Sequence, residues 1–172
     1  MSAYTTDLDL AALRLASGEG RRIELAVVIE PVELAGERYV PAPKPITVKL
    51  EVSRMVGHGY AIRLSFQAHL EGPCMRCLTP ASPTFAVDAR EIAQPGGIEE
   101  LDSPYLEGGV LDVRGWARDA LALMLPAQIL CRPDCAGLCP VCGADLNAAG
   151  AEHGHEAAPD PRWSKLSEIR FD

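Results

Sequence analysis

Ile46-Thr-Val-Lys-Leu-Glu-Val-Ser53, then Gly57-His58-Gly59, then Tyr60-Ala-Ile-Arg-Leu-Ser-Phe-Gln-Ala-His-Leu70, form the block on which the fold turns. In the first run Ile46, Val48, Leu50 and Val52 alternate with polar residues, the period of a strand with one buried face. Tyr60, Ile62, Leu64, Phe66, Ala68 and Leu70 repeat that period in the second run. Between them, Gly57 and Gly59 accept the positive φ that a tight connection demands. The block predicts an antiparallel hairpin.

Outward from it, Arg22 to Ile29 begins in alternation and ends as a β-branched run, and Phe85 to Ile92 is a further strand. Gln94 to Gly109 carries glycines, prolines and acids without periodicity and is expected to be a flexible acidic loop. A helix is predicted over 112–125. Asp112 is its N-cap, Leu111 and Trp116 its hydrophobic staple, and Pro126 its stop. Val113, Trp116, Ala117, Ala120, Leu121 and Met124 form its apolar stripe, suited to packing on the sheet. Asn147 to Pro159 is rich in Ala and Gly and is expected to be mobile. Asp160 and Pro161 then open a short terminal helix. The expected class is α+β: an antiparallel β-sheet core, one packed helix and a carboxy-terminal Cys-rich zinc-binding segment. The domains divide as 1–128, β-rich with the helix, and 129–172, Cys-rich with the terminal helix.

All six cysteines fall in close groups. Cys74 and Cys77 frame Met75-Arg76 at the end of the sheet, and Cys131, Cys135, Cys139 and Cys142 share one short stretch closed by Gly143. Thiolates at such spacing converge on one point, as a tetrahedral Zn²⁺ requires, and soft sulfur selects against Mg²⁺ or Ca²⁺. The amino terminus lacks the basic and apolar regions of a signal peptide, so the thiols are expected to stay reduced in a cytoplasmic setting. Two groupings remain open. Cys131, Cys135, Cys139 and Cys142 close a local site, preferred because these sulfurs are already neighbours. Alternatively, Cys74/Cys77 face Cys139/Cys142 as in a zinc ribbon. His153 and His155 are spare ligands, ordinarily solvated in such a tail.

Charge narrows the function. The chain of 172 residues carries a net charge of −8, unlike a general phosphate binder. Pro31 to Arg90 nevertheless holds seven Lys/Arg against five Asp/Glu, so an RNA or partner contact is expected at Arg76, Arg63, Arg54 and Lys49. The apolar run from Ala120 to Cys131 is too short to cross a bilayer. No Ser/His/Asp set or carboxylate pair suggests catalysis or a small-molecule substrate. Cys135-x3-Cys139-x2-Cys142 matches the spacing of an iron–sulfur motif, but the alternating strands and helices of the accompanying barrel are missing.

Pro73-Cys-Met-Arg-Cys-Leu78, Cys131 to Gly143, the preceding Leu-Pro-Ala-Gln128 and Asp160-Pro-Arg-Trp-Ser-Lys-Leu166 together resemble the YceD-like family of large ribosomal RNA subunit accumulation proteins. The resemblance runs from about Asp7 to Leu166. It implies a non-enzymatic factor supporting 23S rRNA accumulation and large-subunit biogenesis, acting on a ribosomal RNA precursor or a large-subunit ribosomal protein. It carries the Cys74/Arg76/Cys77 motif and the four later cysteines, and no catalytic residues. The rival readings are a zinc-stapled protein-interaction module with no nucleic-acid role, and a thiol redox protein working through Cys74/Cys77.

Overall fold

The computed structural model describes residues 7–94, 103–150, 152–155 and 162, so the helix expected from Asp160 lies outside the described residues, Arg162 apart. Along the chain run β1 (Asp7–Asp9), β2 (Gly20–Val27), β3 (Val32–Leu34), β4 (Glu37–Ala42), β5 (Ile46–Arg54) and β6 (Tyr60–Pro73). Then follow β7 (Pro80–Ala81), β8 (Thr84–Ala93), β9 (Leu106–Glu107), β10 (Val110–Asp112), α1 (Val113–Leu123) and α2 (Leu146–Ala149). The architecture is α+β, dominated by antiparallel pairing.

Strand β6 organises the main sheet. It pairs with β5 from Arg54↔Tyr60 to Lys49↔Ser65, the predicted hairpin. Further along it pairs with β4 from Ala42↔His69 to Val40↔Glu71. β8 runs antiparallel to it from Tyr60↔Ala93 to His69↔Thr84, and β7 pairs with its last two residues. β2 lies outside β5 and β3 outside β4. Fourteen residues of unbroken strand thus hold four partners. The alternation predicted along β5 and β6 is what the burial follows: Val48, Leu50, Val52 and Leu64 are all 0% exposed. Apolar area removed from water, at about 25 cal/mol per Å², makes this face the main source of stability.

Strand β4 was illegible because Pro41 breaks its pattern. Proline survives there because Pro41↔Leu70 lies beyond the end of β3, so its missing N–H faces no partner strand. The β3–β4 turn puts Ala35 at φ 51° and Gly36 at φ 82°, and Gly108 and Gly109 take φ 58° and 86° between β9 and β10. Two consecutive positive φ angles match the twist of a two-residue hairpin. The expected acidic loop is therefore structured at its end: β10 pairs with both β9 and β1, forming a small second sheet. Residues 95–102 of that loop lie outside the described residues.

Helix α1 starts as expected, with the Asp112 carboxylate accepting from the Gly115 N–H at 2.8 Å. Val113, Trp116, Ala117, Ala120 and Leu121 are buried, and the helix lies against β8. Met124, expected in the stripe, caps the helix and is half exposed, since the α-turn ends before Pro126. Tyr105 stacks on Trp116 and donates to Asp119, which ties the small sheet to the helix.

Where β6 ends, Gly72 lies beneath the ring of Tyr39, and a Cβ there would come within 2.3 Å of that ring. The Tyr39 hydroxyl donates to the Pro73 carbonyl at 2.8 Å, so the residue before Cys74 is held from both sides. Gly72→Ala is expected to cost about 1–3 kcal/mol by overpacking, read from urea denaturation. Tyr39→Phe, losing only the hydrogen bond, is expected to cost about 1 kcal/mol. Equal, negligible effects in both variants would contradict this account.

Candidate metal centre

The two Cys-x-x-Cys segments fold into the same small loop. Cys74 N–H donates to the Thr79 carbonyl at 2.7 Å, and Leu78 N–H donates back to the Cys74 carbonyl at 2.9 Å. Sixty-five residues later, Cys139 N–H donates to the Ala144 carbonyl at 2.8 Å and Gly143 N–H to the Cys139 carbonyl at 2.8 Å. The residue after the second cysteine is left-handed in both, Gly143 at φ 73° and Leu78 at φ 63°. That turn aims backbone N–H groups at the sulfur of the first cysteine. Glycine does this without strain, whereas Leu78 does it against the clash of its own Cβ.

The first loop meets Cys131 and Cys135. All four sulfurs lie within 4.8 Å of one another, with Cys74 Sγ 3.8 Å from Cys135 Sγ and Cys77 Sγ 3.6 Å from Cys131 Sγ. A disulfide needs about 2.05 Å, so these are free thiols. Zn–S bonds of about 2.3 Å in a tetrahedron give sulfur–sulfur edges of about 3.8 Å, close to the 3.8 and 3.6 Å of these two pairs. The donor chemistry agrees. Burial would push the Cys74 thiol up, but N–H groups of Cys77, Arg76 and Cys131 outweigh it and hold Cys74 down at about 6. Bonds from the Thr79 hydroxyl and N–H lower Cys77. Loss of hydration and the neighbouring Cys77, Cys135 and Cys74 sulfurs push Cys131 up to about 12. Four adjacent sulfurs cannot all ionise unaided, and a divalent cation removes that conflict. The site fits a metal ion.

The surroundings keep this geometry. Met75 N–H donates to the Ile129 carbonyl at 2.9 Å, so the chain ahead of Cys131 runs beside the first loop. Gly137, at φ 80°, lies against Arg76, where a Cβ would come within 3.2 Å of the Arg76 Cβ and carbonyl oxygen. Asn147, at the start of α2, was not singled out by sequence reading. Its Oδ1 accepts from Ala136 N–H and from Arg132, each at 2.8 Å, and its Nδ2 donates to Cys135 Sγ at 3.7 Å. Asp145 fixes the side-chain amide in turn, at 2.7 Å. The sequence signal available was Asp145 two residues before it, an N-cap opening a short helix.

The second loop does not join the first. Cys139 and Cys142 converge instead with His153 and His155, again with all four ligand atoms within 4.8 Å. Both expected groupings, the local four-cysteine site and the ribbon pairing, are therefore replaced. The local set is not brought together: after Cys135 the Leu138 N–H donates to the Arg76 carbonyl at 3.1 Å, and Cys139 and Cys142 converge with the histidines beyond it. The ribbon fails because Cys131 and Cys135 already complete the Cys74/Cys77 site. His153 and His155, expected to be solvated, converge with the two thiols, and the stretch expected to be mobile starts within α2. N–H groups of Cys142 and Val141, with His153, hold Cys139 down at about 6.

The four cations expected to make contacts are partnered. Arg63 donates through Nε to Asp88 at 2.9 Å and lies 3.6 Å from Glu51, which also meets Arg22 at 2.9 Å. Lys49 is 4.0 Å from Glu24, and Arg54 covers the Tyr60 ring at 4.5 Å. Among the described residues, Arg76 pairs with no acid of the 91–112 stretch. It donates through Nε to Gln128 at 3.1 Å and through a terminal nitrogen to the Cys135 carbonyl at 3.0 Å, clamping the two halves of the site.

The family model described as "Large ribosomal RNA subunit accumulation protein YceD" matches residues 62–170, a span that starts in β6 and contains all six cysteines and both histidines. The chain belongs to this family. Uncharacterized proteins of Mycobacterium bovis and Mycobacterium tuberculosis are each 31% identical over 163 residues, covering 91% of this chain and 78% of their own. One of Mycobacterium leprae is 29% identical over 131 residues, covering 73% of this chain and 59% of its own. No solved structure matches. YceD is not a known enzyme family, and its name ties it to ribosomal RNA of the large subunit. No helix among the described residues is long and apolar enough to cross a membrane.

Two substitutions test this geometry. Asn147→Ala removes a group that orients the Cys131–Cys135 turn, and metal affinity is expected to fall about 10- to 100-fold in a chelator competition. Leu78→Gly relieves a left-handed leucine but enlarges the unfolded ensemble, so stability is expected to hold or rise by up to about 1 kcal/mol. A clear loss in that variant would mean that the leucine side chain, 66% exposed, supports the loop in some other way.

Proposed function

We propose that this YceD-family chain is a non-enzymatic cytoplasmic factor that supports 23S rRNA accumulation and large-subunit assembly. In this reading a structural Zn²⁺ on Cys74, Cys77, Cys131 and Cys135 joins its sheet to its carboxy-terminal segment. The observation that carries the reading is the family match across residues 62–170, which contains that four-sulfur site whole. A closed set of four protein sulfurs leaves no coordination position for substrate, which supports a structural rather than catalytic metal. Structural zinc supplies about 10–16 kcal/mol of apparent binding free energy at pH 7, enough to hold the two segments together.

Of the two partners considered, a basic large-subunit protein is better supported than bare RNA. Arg22, Glu51, Arg63 and Asp88 balance one another across the sheet, so this face has little net positive charge to offer phosphates. The whole chain, at −8, repels a polyanion and attracts a polycation. The test is purification of tagged full-length protein from cells, with and without nuclease treatment, followed by gradient sedimentation. Co-migration with large-subunit precursors is expected, with one ribosomal protein retained after nuclease. Complete loss of association on nuclease treatment would favour direct RNA contact. Absence from precursor fractions, with a stable partner unrelated to the ribosome, would overturn the assembly role in favour of a general interaction module.

A further inference from the structure

We infer that Cys139, Cys142, His153 and His155 bind a second Zn²⁺, separate from the four-cysteine site, so that the intact protein carries two metal ions of different ligand chemistry. The argument is geometric. Cys142 Sγ lies 3.5 Å from His153 Nε2, and His153 Nε2 lies 3.1 Å from His155 Nε2. Tetrahedral zinc, with Zn–S of about 2.3 Å and Zn–N of about 2.0–2.1 Å, requires sulfur–nitrogen edges of about 3.6 Å and nitrogen–nitrogen edges of about 3.3 Å. The two imidazoles stand edge to face, 82° between planes, which lets both Nε2 atoms address one point without stacking.

Pairwise contacts do not account for this convergence. His153 Nε2 can make only one hydrogen bond, yet His155 Nε2 and both sulfurs lie within 4.8 Å of it. Nor does packing hold the histidines there. Of the described residues between Gly150 and His155 none is buried, and their backbone tie is a single 3.4 Å bond from His153 N–H to the Gly150 carbonyl. A segment so poorly packed ordinarily loses to chain entropy. A shared cation supplies the missing free energy.

The cysteine half is already formed, because the second loop has the same hydrogen bonds as the first. A single residue between the histidines is shorter than the usual spacing of three to five in such sites. It suffices here because each ring reaches inward with its distal nitrogen, Nε2, so the backbone at Gly154 need not approach the ion. On binding, the two thiols release their protons to water and the imidazoles bind neutral. Two thiolates against one Zn²⁺ give a neutral centre, suited to a site where Cys142 and His155 are exposed. The four-thiolate site carries two net negative charges and is mostly buried. The second ion is therefore expected to exchange faster.

The experiment is metal counting on full-length protein purified without chelator, by chromogenic release of zinc, beside a His153→Ala/His155→Ala variant and a Cys74→Ser variant. Two zinc per chain are expected in wild type, and one in the double-histidine variant with its far-UV circular dichroism unchanged. Reconstitution of chelator-treated wild type with Co²⁺ alone should give two superposed tetrahedral spectra. The component with weaker thiolate charge-transfer absorption should vanish in the double-histidine variant. In a timed EDTA challenge, one zinc should leave at least about tenfold faster than the other, and the fast phase should be missing from that variant. One zinc in both wild type and the double-histidine variant overturns the second site, as does any result in which removing both histidines leaves the zinc count unchanged. One zinc in wild type and none in the double-histidine variant would keep the second site and sink the four-cysteine reading instead. The Cys74→Ser count, expected to fall while the histidine-dependent component persists, checks that assignment from the other side.

Discussion

The meeting of Cys74 and Cys77 with Cys131 and Cys135 is the contact on which the lower end of this protein depends. β6 delivers the first pair at its end, and the chain returns after α1 to deliver the second. The Cys77–Cys131 and Cys74–Cys135 sulfurs lie 3.6 and 3.8 Å apart and all four lie within 4.8 Å, too far for covalent bonds and too close for four unassisted thiolates. Neighbouring contacts brace this approach: the Tyr39 ring over Gly72, the Arg76 clamp to Gln128 and the Cys135 carbonyl, and the Asn147 amide on the far turn. A cation at the centre would turn a repulsive cluster into a cross-link between segments more than fifty residues apart in sequence.

The repeated loop shows how one local solution is put to two uses. Both Cys-x-x-Cys segments close with the same pair of backbone hydrogen bonds and the same left-handed residue after the second cysteine. Their partners differ because their positions differ. The first ends a long strand and is approached by a distant segment. The second sits in the tail and turns back on the next dozen residues. The first is largely buried and tied into the core by Met75 and Ile129, while the second stays at the surface.

The charge pattern follows the same logic of position. A central stretch with a net positive count suggested a surface for phosphates. On the sheet, however, Arg22 and Arg63 meet Glu51, Lys49 meets Glu24, and Arg54 covers the Tyr60 ring, each across a strand pair. Register set by the hydrophobic face determined which charges meet on the other face, because side chains on a strand alternate with period two. Exposed pairs of this kind add little stability, about 0–1 kcal/mol each, and they offset charge on this face.

Local periodicity was enough to read β5, β6, β8 and α1, because burial of one face imposes a repeat that survives in the chain: Val48, Leu50 and Val52 announce their strand by themselves. The Asp112 cap was equally legible, since capping is settled within four residues. Short strands such as β4, carrying Pro41, and β10, beside Gly108-Gly109, were not, as too few residues contribute to any period. The six cysteines declared a metal-type chemistry, but their grouping was beyond local reading. Spacing shows which residues can converge within a turn, and it favoured the four that are adjacent in the chain. Tertiary structure decided otherwise, because strand β6 and the return of the chain past Ile129 bring Cys131 and Cys135 to Cys74 and Cys77. That leaves Cys139 and Cys142 to meet His153 and His155. Sulfur–sulfur distance in space, rather than separation in sequence, is what a cation responds to.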